Sequence, residues 1–172
     1  MADKVQNSNT FYYTGEMKKA SSSFLGTKDG EITIHLKRPN SNETETYKAN
    51  YKFGEKPEDS LAYKTGELLD ILNKYSTEDS PEINQKELWE AYNDLYKNNS
   101  SVLEETVKVS SANSYSETTP AGKVIENFER AAQHFSDPNS PDGENINPDE
   151  LYDMAEMLLG WGGYTKEEEK EK

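Results

Sequence analysis

The sequence predicts an α+β fold in which a small N-terminal antiparallel β-meander packs against four helices arranged as two hairpins. Two observations predict this arrangement. Between residues 31 and 53 apolar and polar residues alternate, which is typical of strands with one buried face. After Gly54 the apolar residues recur at helical spacing, and this pattern continues to about residue 160.

The meander is predicted to contain three strands, Ser22–Leu25, Glu31–Lys37 and Glu45–Lys52. Asp29-Gly30 is a tight-turn sequence, and the polar residues 39–42 predict a loop between the second and third strands. A sheet of this size is marginal by itself, so we expect its apolar face to be covered by the helices.

The helices are predicted from apolar spacing and from their first residues. Leu61 to Tyr75 follows Ser60, a good N-cap, and Lys86 to Lys97 carries a broad apolar face. Pro120 and Pro148 open the third and fourth helices, since proline is well tolerated in the first helical turn.

These elements divide the chain into a polar, disordered tail at 1–9, the meander at 10–54, a helical domain at 55–164 and a charged disordered tail at 165–172. Serine and threonine dominate the end of the connection between the two helix hairpins, which predicts a flexible linker near 108–119.

The composition is strongly acidic, with 19 basic and 33 acidic residues and a formal net charge of −14. Such a charge repels nucleic-acid phosphates and favours cations or basic proteins as partners. Cysteine is absent, which excludes disulfides and thiolate chemistry. No apolar run reaches the roughly 20 residues of a membrane span, and residues 1–10 lack the apolar region of a secretory signal, so we expect a cytoplasmic protein.

No catalytic constellation stands out, and we expect the protein not to be an enzyme. The two histidines, His35 and His134, lie in unrelated patterns, and no serine occupies a nucleophile-elbow sequence. Trp89 and Trp161 are expected to be core aromatics, with partial exposure as the alternative for Trp161, which lies beside three glycines.

The loop between the third and fourth helices is rich in oxygen ligands. It reads DPNSPDGENINPDE from Asp137 to Glu150, with Ile146 four positions before Glu150. This resembles an EF-hand, and its fourteen residues are similar to the pseudo-EF-hand loop. The resemblance implies calcium as a cofactor, bound by the backbone carbonyls of Asp137, Ser140, Asp142 and Asn145 and by the Glu150 carboxylate, with the Asp142 side chain as an alternative ligand. The alternative is an ordinary surface connector whose polar residues form turns and cap the next helix.

The loop between the first two helices carries a second, more degenerate resemblance. STEDSPEINQKE spans the twelve residues from Ser76 to Glu87, but Ser76 replaces the usual opening Asp and Pro81 replaces the usual Gly. It is expected to be structural or a weaker site, with these ligands: Ser76, Glu78, Ser80, Glu82 and Glu87. Both loops end in I-N-x-x-E-L, and in an EF-hand pair Ile83 would lie beside Ile146.

The resemblance implies a calcium-binding, or formerly calcium-binding, protein-interaction module. In sensors of this family the helix pair opens to expose an apolar groove, for which the candidate partner-binding residues are Met154, Met157, Leu158 and Trp161. Two alternatives remain. One is an acidic inhibitor or decoy, such as a phage-encoded nucleic-acid mimic that occupies a basic channel; the other is a structural or assembly protein that associates through the edge strand of the meander.

Overall fold

A computed structural model describes residues 9–98, 119–136 and 145–167 of the 172-residue chain. Within these residues it contains four α-helices and six strands, which confirms the predicted α+β class. The helices are α1 Leu61–Tyr75, α2 Gln85–Asn98, α3 Pro120–Phe135 and α4 Pro148–Trp161. The strands are β1 Tyr12–Lys18, β2 Ser21–Ser23, β3 Gly26–Lys28, β4 Gly30–Lys37, β5 Thr44–Tyr51 and β6 Thr165–Glu167.

The main sheet is antiparallel and has the strand order β1-β4-β5-β6. Its apolar face is contributed by alternate residues of β4 and β5, as the alternation predicts. This face belongs to the same hydrophobic cluster as the buried side chains of all four helices, so strands and helices share one core. Among the described helices, none is long and apolar enough to cross a membrane.

The predicted first strand, Ser22–Leu25, is wrong. The strand that pairs with β4 is Tyr12–Lys18, and the serines instead form a separate two-stranded hairpin, β2–β3. Phe24 and Leu25, whose apolar side chains suggested the strand, form the two-residue turn of this hairpin, because Ser23 pairs directly with Gly26. β1 was missed because Gly15 and the polar residues around it interrupt the alternation.

The predicted charged tail is also partly wrong, because Thr165–Glu167 pairs with β5 as an edge strand. Its charges find partners in the neighbouring strand: Lys166 Nζ lies 2.7 Å from Glu45, and Glu167 lies 3.5 Å from Lys48 Nζ. Nothing apolar marks this strand in the sequence, and its partners lie more than a hundred residues earlier. At the other terminus the Asn9 side-chain amide donates to the Glu78 carbonyl at 3.3 Å.

The helix ends follow the predicted caps. The Ser60 Oγ accepts a hydrogen bond from the Tyr63 N–H at 3.2 Å at the start of α1. α4 ends in a glycine cap in which Gly163 has φ of +93° and the Tyr164 N–H bonds to the Leu159 carbonyl at 3.0 Å. The predicted linker at 108–119 lies outside the described residues except for Thr119, which caps α3 through the Gly122 N–H.

Candidate functional site

The two helix hairpins are joined by a single antiparallel bridge between Ile83 and Ile146. Each N–H donates to the other residue's carbonyl, at 3.0 Å from Ile83 and 2.9 Å from Ile146. Both side chains are fully buried. The predicted juxtaposition of these two isoleucines is therefore confirmed, and it holds the ends of the two loops together.

The residues that follow each isoleucine form the same reciprocal cap. Asn84 Oδ1 accepts from the Glu87 N–H at 2.8 Å, and Glu87 Oε1 accepts from the Asn84 N–H at 3.0 Å. Asn147 and Glu150 make the same two bonds, at 2.8 and 3.0 Å. Such a capping box satisfies backbone donors that the first helical turn would otherwise leave unpaired.

The first loop is closed by its own polar groups. The hydroxyl of Ser76, a buried residue, donates to the Pro81 carbonyl at 2.6 Å, and Thr77 and Ser80 exchange backbone hydrogen bonds at 3.1 Å. Glu78 and Glu82 are exposed. Glu87 Oε1 is engaged in the helix cap, and no three acidic side chains of this described loop are arranged to hold a metal ion.

The second loop lies partly outside the described residues. Asp137, Ser140 and Asp142 lie outside the described residues, whereas Asn145 and Glu150 are described and are both half-buried. Glu150 stands at the exit of the loop, and one of its oxygens caps α4. Within residues 9–98, 119–136 and 145–167, no cluster of three or more His, Cys, Asp or Glu is arranged to hold a metal ion.

The predicted partner-binding residues lie mostly inside the protein. Met154 and Leu158 are buried in the core, and Met157 is half-buried against it. Trp161 is partly exposed, with the Arg130 guanidinium 5.1 Å from its ring centre. In this conformation the predicted groove is therefore packed, and a partner would reach Met154 and Leu158 only if the helices separated.

An exposed aromatic surface lies instead on α2. Trp89 is 64% exposed and Tyr96 is 46% exposed, so the expectation that Trp89 is a core residue is wrong. Trp89 packs edge-on against Tyr92 with ring centres 5.9 Å apart, and Tyr92 stacks on the buried Phe128 of α3 at 6.3 Å. The sequence signal for this surface is the width of the aromatic face on α2, which is too broad to be buried against one neighbour.

A groove with a volume of 390 Å³ opens between α2 and α3 beside this surface. We call it the aromatic groove. Its apolar lining residues are Leu88, Trp89, Tyr92, Phe128 and Ala132, and Glu129 adds a carboxylate. The volume lies in the lower part of the range of about 300–1,000 Å³ typical of ligand pockets.

A polar cluster ties α4 to the sheet. The Tyr152 hydroxyl donates to Glu45 at 2.6 Å, and the Tyr47 hydroxyl donates to Glu156 at 3.0 Å. Burial and a hydrogen bond with Glu45 raise the pKa of Glu156. Burial opposes ionisation of Glu45, but hydrogen bonds from Glu156, Lys166 and Tyr152 outweigh it and lower the pKa of Glu45 to about 2. The pKa values of these two carboxyl groups are therefore shifted in opposite directions, upward for Glu156 and downward for Glu45.

Comparisons of this chain with protein-family models, with curated proteins and with solved structures gave no match.

Proposed function

We propose that this protein is an EF-hand-like protein-interaction module and that the aromatic groove between α2 and α3 receives its partner. The observation that carries the proposal is the position of Trp89, a large aromatic side chain that is 64% exposed on the edge of a preformed apolar groove. Tryptophan and tyrosine are the residues most often found at the energetic centre of protein interfaces.

The floor of the aromatic groove is fixed by the core. Phe128 and Leu88 are buried, and Tyr92 stacks between Phe128 and the exposed rings of α2. A partner therefore meets side chains that are already ordered, and binding costs less conformational entropy than it would on a flexible surface.

The charge of the protein limits the partner's chemistry. The formal net charge is −14, and Glu129 places a carboxylate in the lining of the groove. A partner that presents apolar side chains beside a lysine or arginine complements both features. The long-range part of this attraction is screened over about 8–10 Å at physiological salt, so the association rate should fall as salt is added.

Selection of peptides on the immobilised protein tests this assignment. We expect enriched peptides to combine aromatic or aliphatic residues with a basic residue, and Trp89→Ala to weaken their binding at least tenfold. Phe53→Ala removes another exposed aromatic side chain, 44% exposed and outside the groove, and should leave binding unchanged. Peptides that bind the Trp89 and Phe53 variants equally well would contradict the proposal.

Calcium binding by the second loop is a separate proposal, supported by Glu150 at the loop exit and by the bridge that joins the two loop ends. Glutamine can replace glutamate in a capping box, so Glu150→Gln and Glu87→Gln are matched variants that keep both helix starts. In calorimetric titrations of chelator-treated protein, we expect calcium heat from the wild type and from Glu87→Gln but not from Glu150→Gln. A flat trace from the wild type would remove calcium from the proposal.

A further inference from the structure

The turn of the β2–β3 hairpin exposes two large apolar side chains side by side. Phe24 is 96% exposed and Leu25 is 84% exposed, more than any other large hydrophobic residue in the described part of the chain. We call this pair the hairpin tip. Single exposed apolar residues are ordinary on protein surfaces. Two adjacent exposed apolar side chains at the end of a hairpin, in contrast, can insert together into an apolar pocket.

The hairpin is also a basic segment of an acidic protein. Residues 18–28 contain three lysines and no acidic residue, whereas the whole chain carries a formal net charge of −14. Lys18, Lys19 and Lys28 are all exposed. The surface that binds the hairpin tip should therefore be apolar with a carboxylate at its edge, because that combination complements both the apolar tip and the hairpin lysines.

The aromatic groove has this combination: five of its lining residues are aliphatic or aromatic, Glu129 supplies a carboxylate, and Gln85, Gln133 and Ser136 complete the lining. In the structure the hairpin tip does not occupy the groove of its own chain, since Phe24 is 96% exposed. The Ala20 N–H at the hairpin base donates to the Tyr51 hydroxyl at 3.1 Å, and Tyr51 lines the same cavity as Ser60 at the start of α1. α2 is tied to the other end of α1, where the Tyr75 hydroxyl donates to Asp94 at 2.7 Å. The 15 residues of α1 separate these two ends by roughly 22 Å at about 1.5 Å per residue.

We propose that the hairpin tip of one molecule inserts into the aromatic groove of a second copy of this chain, with the hairpin lysines facing Glu129. This inference rests on the proposed function of the groove as a binding site, and it names the occupant. The contact joins two different surfaces, so it is heterologous and leaves a free tip at one end of the dimer and a free groove at the other. Association therefore continues beyond the dimer as the protein concentration rises.

Sedimentation velocity on two complementary variants tests the contact. The Phe24→Ser, Leu25→Ser double variant lacks the tip but keeps the groove, and Trp89→Ala alters the groove but keeps the tip. All three side chains are mostly exposed, so both variants should fold, which near-UV circular dichroism checks. We expect the mean mass of the wild type to rise above 19.5 kDa with concentration, and each variant alone to associate at least tenfold more weakly.

An equimolar mixture of the two variants gives the sharpest result. One tip and one intact groove remain in the mixture, so it should form 1:1 heterodimers and nothing larger. A wild type that stays monomeric, or a mixture that fails to form heterodimers, would overturn the inference. So would binding to phosphatidylserine vesicles that the tip variant loses and the Trp89 variant keeps, because the tip would then be a membrane contact. If selected peptides still bind the groove of a monomeric wild type, only the self-association fails and the proposed function stands.

Discussion

Residues 83–88 and 146–151 share the pattern I-N-x-x-E-L and form the same bridge and capping box, yet the helices they begin have opposite surroundings. α4 buries Tyr152, Met154 and Leu158, whereas α2 leaves Trp89 and Tyr96 exposed. Six residues of sequence are enough to determine how a helix starts. They do not determine which face of the helix is covered.

The difference arises from elements distant in the chain. α4 packs against α1 and α3. It is also tied to the sheet by two hydrogen bonds: Glu45 accepts one from the Tyr152 hydroxyl, and the Tyr47 hydroxyl donates one to Glu156. α2 packs against α1 and α3, and its aromatic face continues beyond the part that they cover. α4 is therefore largely buried in the core, whereas α2 leaves part of its aromatic face exposed to solvent.

The largest expected contrast is between Leu158→Ala and Trp89→Ala. Leu158 is 1% exposed, so truncation leaves a cavity and should lower the free energy of unfolding by about 2–5 kcal/mol. Trp89 is 64% exposed, so its truncation should cost no more than about 0.5 kcal/mol, as for most surface substitutions. Chemical denaturation measures both. Equal losses would show that the aromatic face of α2 is part of the core.

The end of α4 offers a second, smaller contrast. A Cβ added at Gly162 would lie 2.3 Å from Thr65 Oγ1 of α1, so Gly162→Ala should cost about 1–3 kcal/mol through overpacking. Gly160 has nothing within 4 Å, and Gly160→Ala should add up to about 1 kcal/mol of stability through helix propensity. If both substitutions had the same sign in thermal unfolding, the close approach of α4 to α1 would be wrong.

The two capping boxes should be nearly equivalent. Asn84→Ala and Asn147→Ala each remove a side-chain acceptor from a helix start, and each should cost about 1 kcal/mol, within the usual range of 0.5–2 kcal/mol. Urea denaturation of the two variants compares them directly. A loss of stability in only one of the two variants would show that the repeated sequence does not stabilise both helix starts equally.

The smallest expected effect is a pH dependence of the stability that arises from Glu156 in α4. Glu156 has a raised pKa, so its contribution to stability is fully present below its usual value of 4.5 and is lost as the pH rises through the folded-state pKa. A glutamine side chain at position 156 can donate a hydrogen bond to Glu45 at every pH, because its amide does not titrate. Glu156→Gln should therefore raise the melting temperature at pH 7, and the gain should shrink toward pH 4. A gain that is constant with pH would contradict the raised pKa of Glu156.

Much of the fold could be predicted from the sequence, because local patterns determine it. Apolar periodicity gave β4, β5 and the four helices, and the repeated I-N-x-x-E-L predicted that Ile83 would lie beside Ile146. β6 could not be predicted, because its residues are charged and its stability comes from pairing with a strand distant in sequence.

The candidate site was harder to predict than the fold. Periodicity showed that α2 and α4 are both amphipathic, but the amount of each apolar face that is buried depends on tertiary neighbours. The resemblance placed the partner surface at Met154, Met157, Leu158 and Trp161, of which Met154 and Leu158 are buried, and the sequence assigned Trp89 to the core, although it is exposed. The loop residues Asp137, Ser140 and Asp142 remain a prediction.

The central claim is that α2, and not α4, presents the accessible apolar surface, and the absence of native cysteines allows a direct test by thiol labelling. Trp89→Cys and Met154→Cys each introduce a single thiol. We expect the thiol at position 89 to react with a small disulfide reagent nearly as fast as an unfolded control, and the thiol at position 154 to react at least a hundredfold more slowly. The result should be the same with calcium and with chelator. Rapid labelling at position 154 in the folded protein, or labelling there that occurs only with calcium, would contradict this account. It would instead support the predicted partner-binding groove on α4.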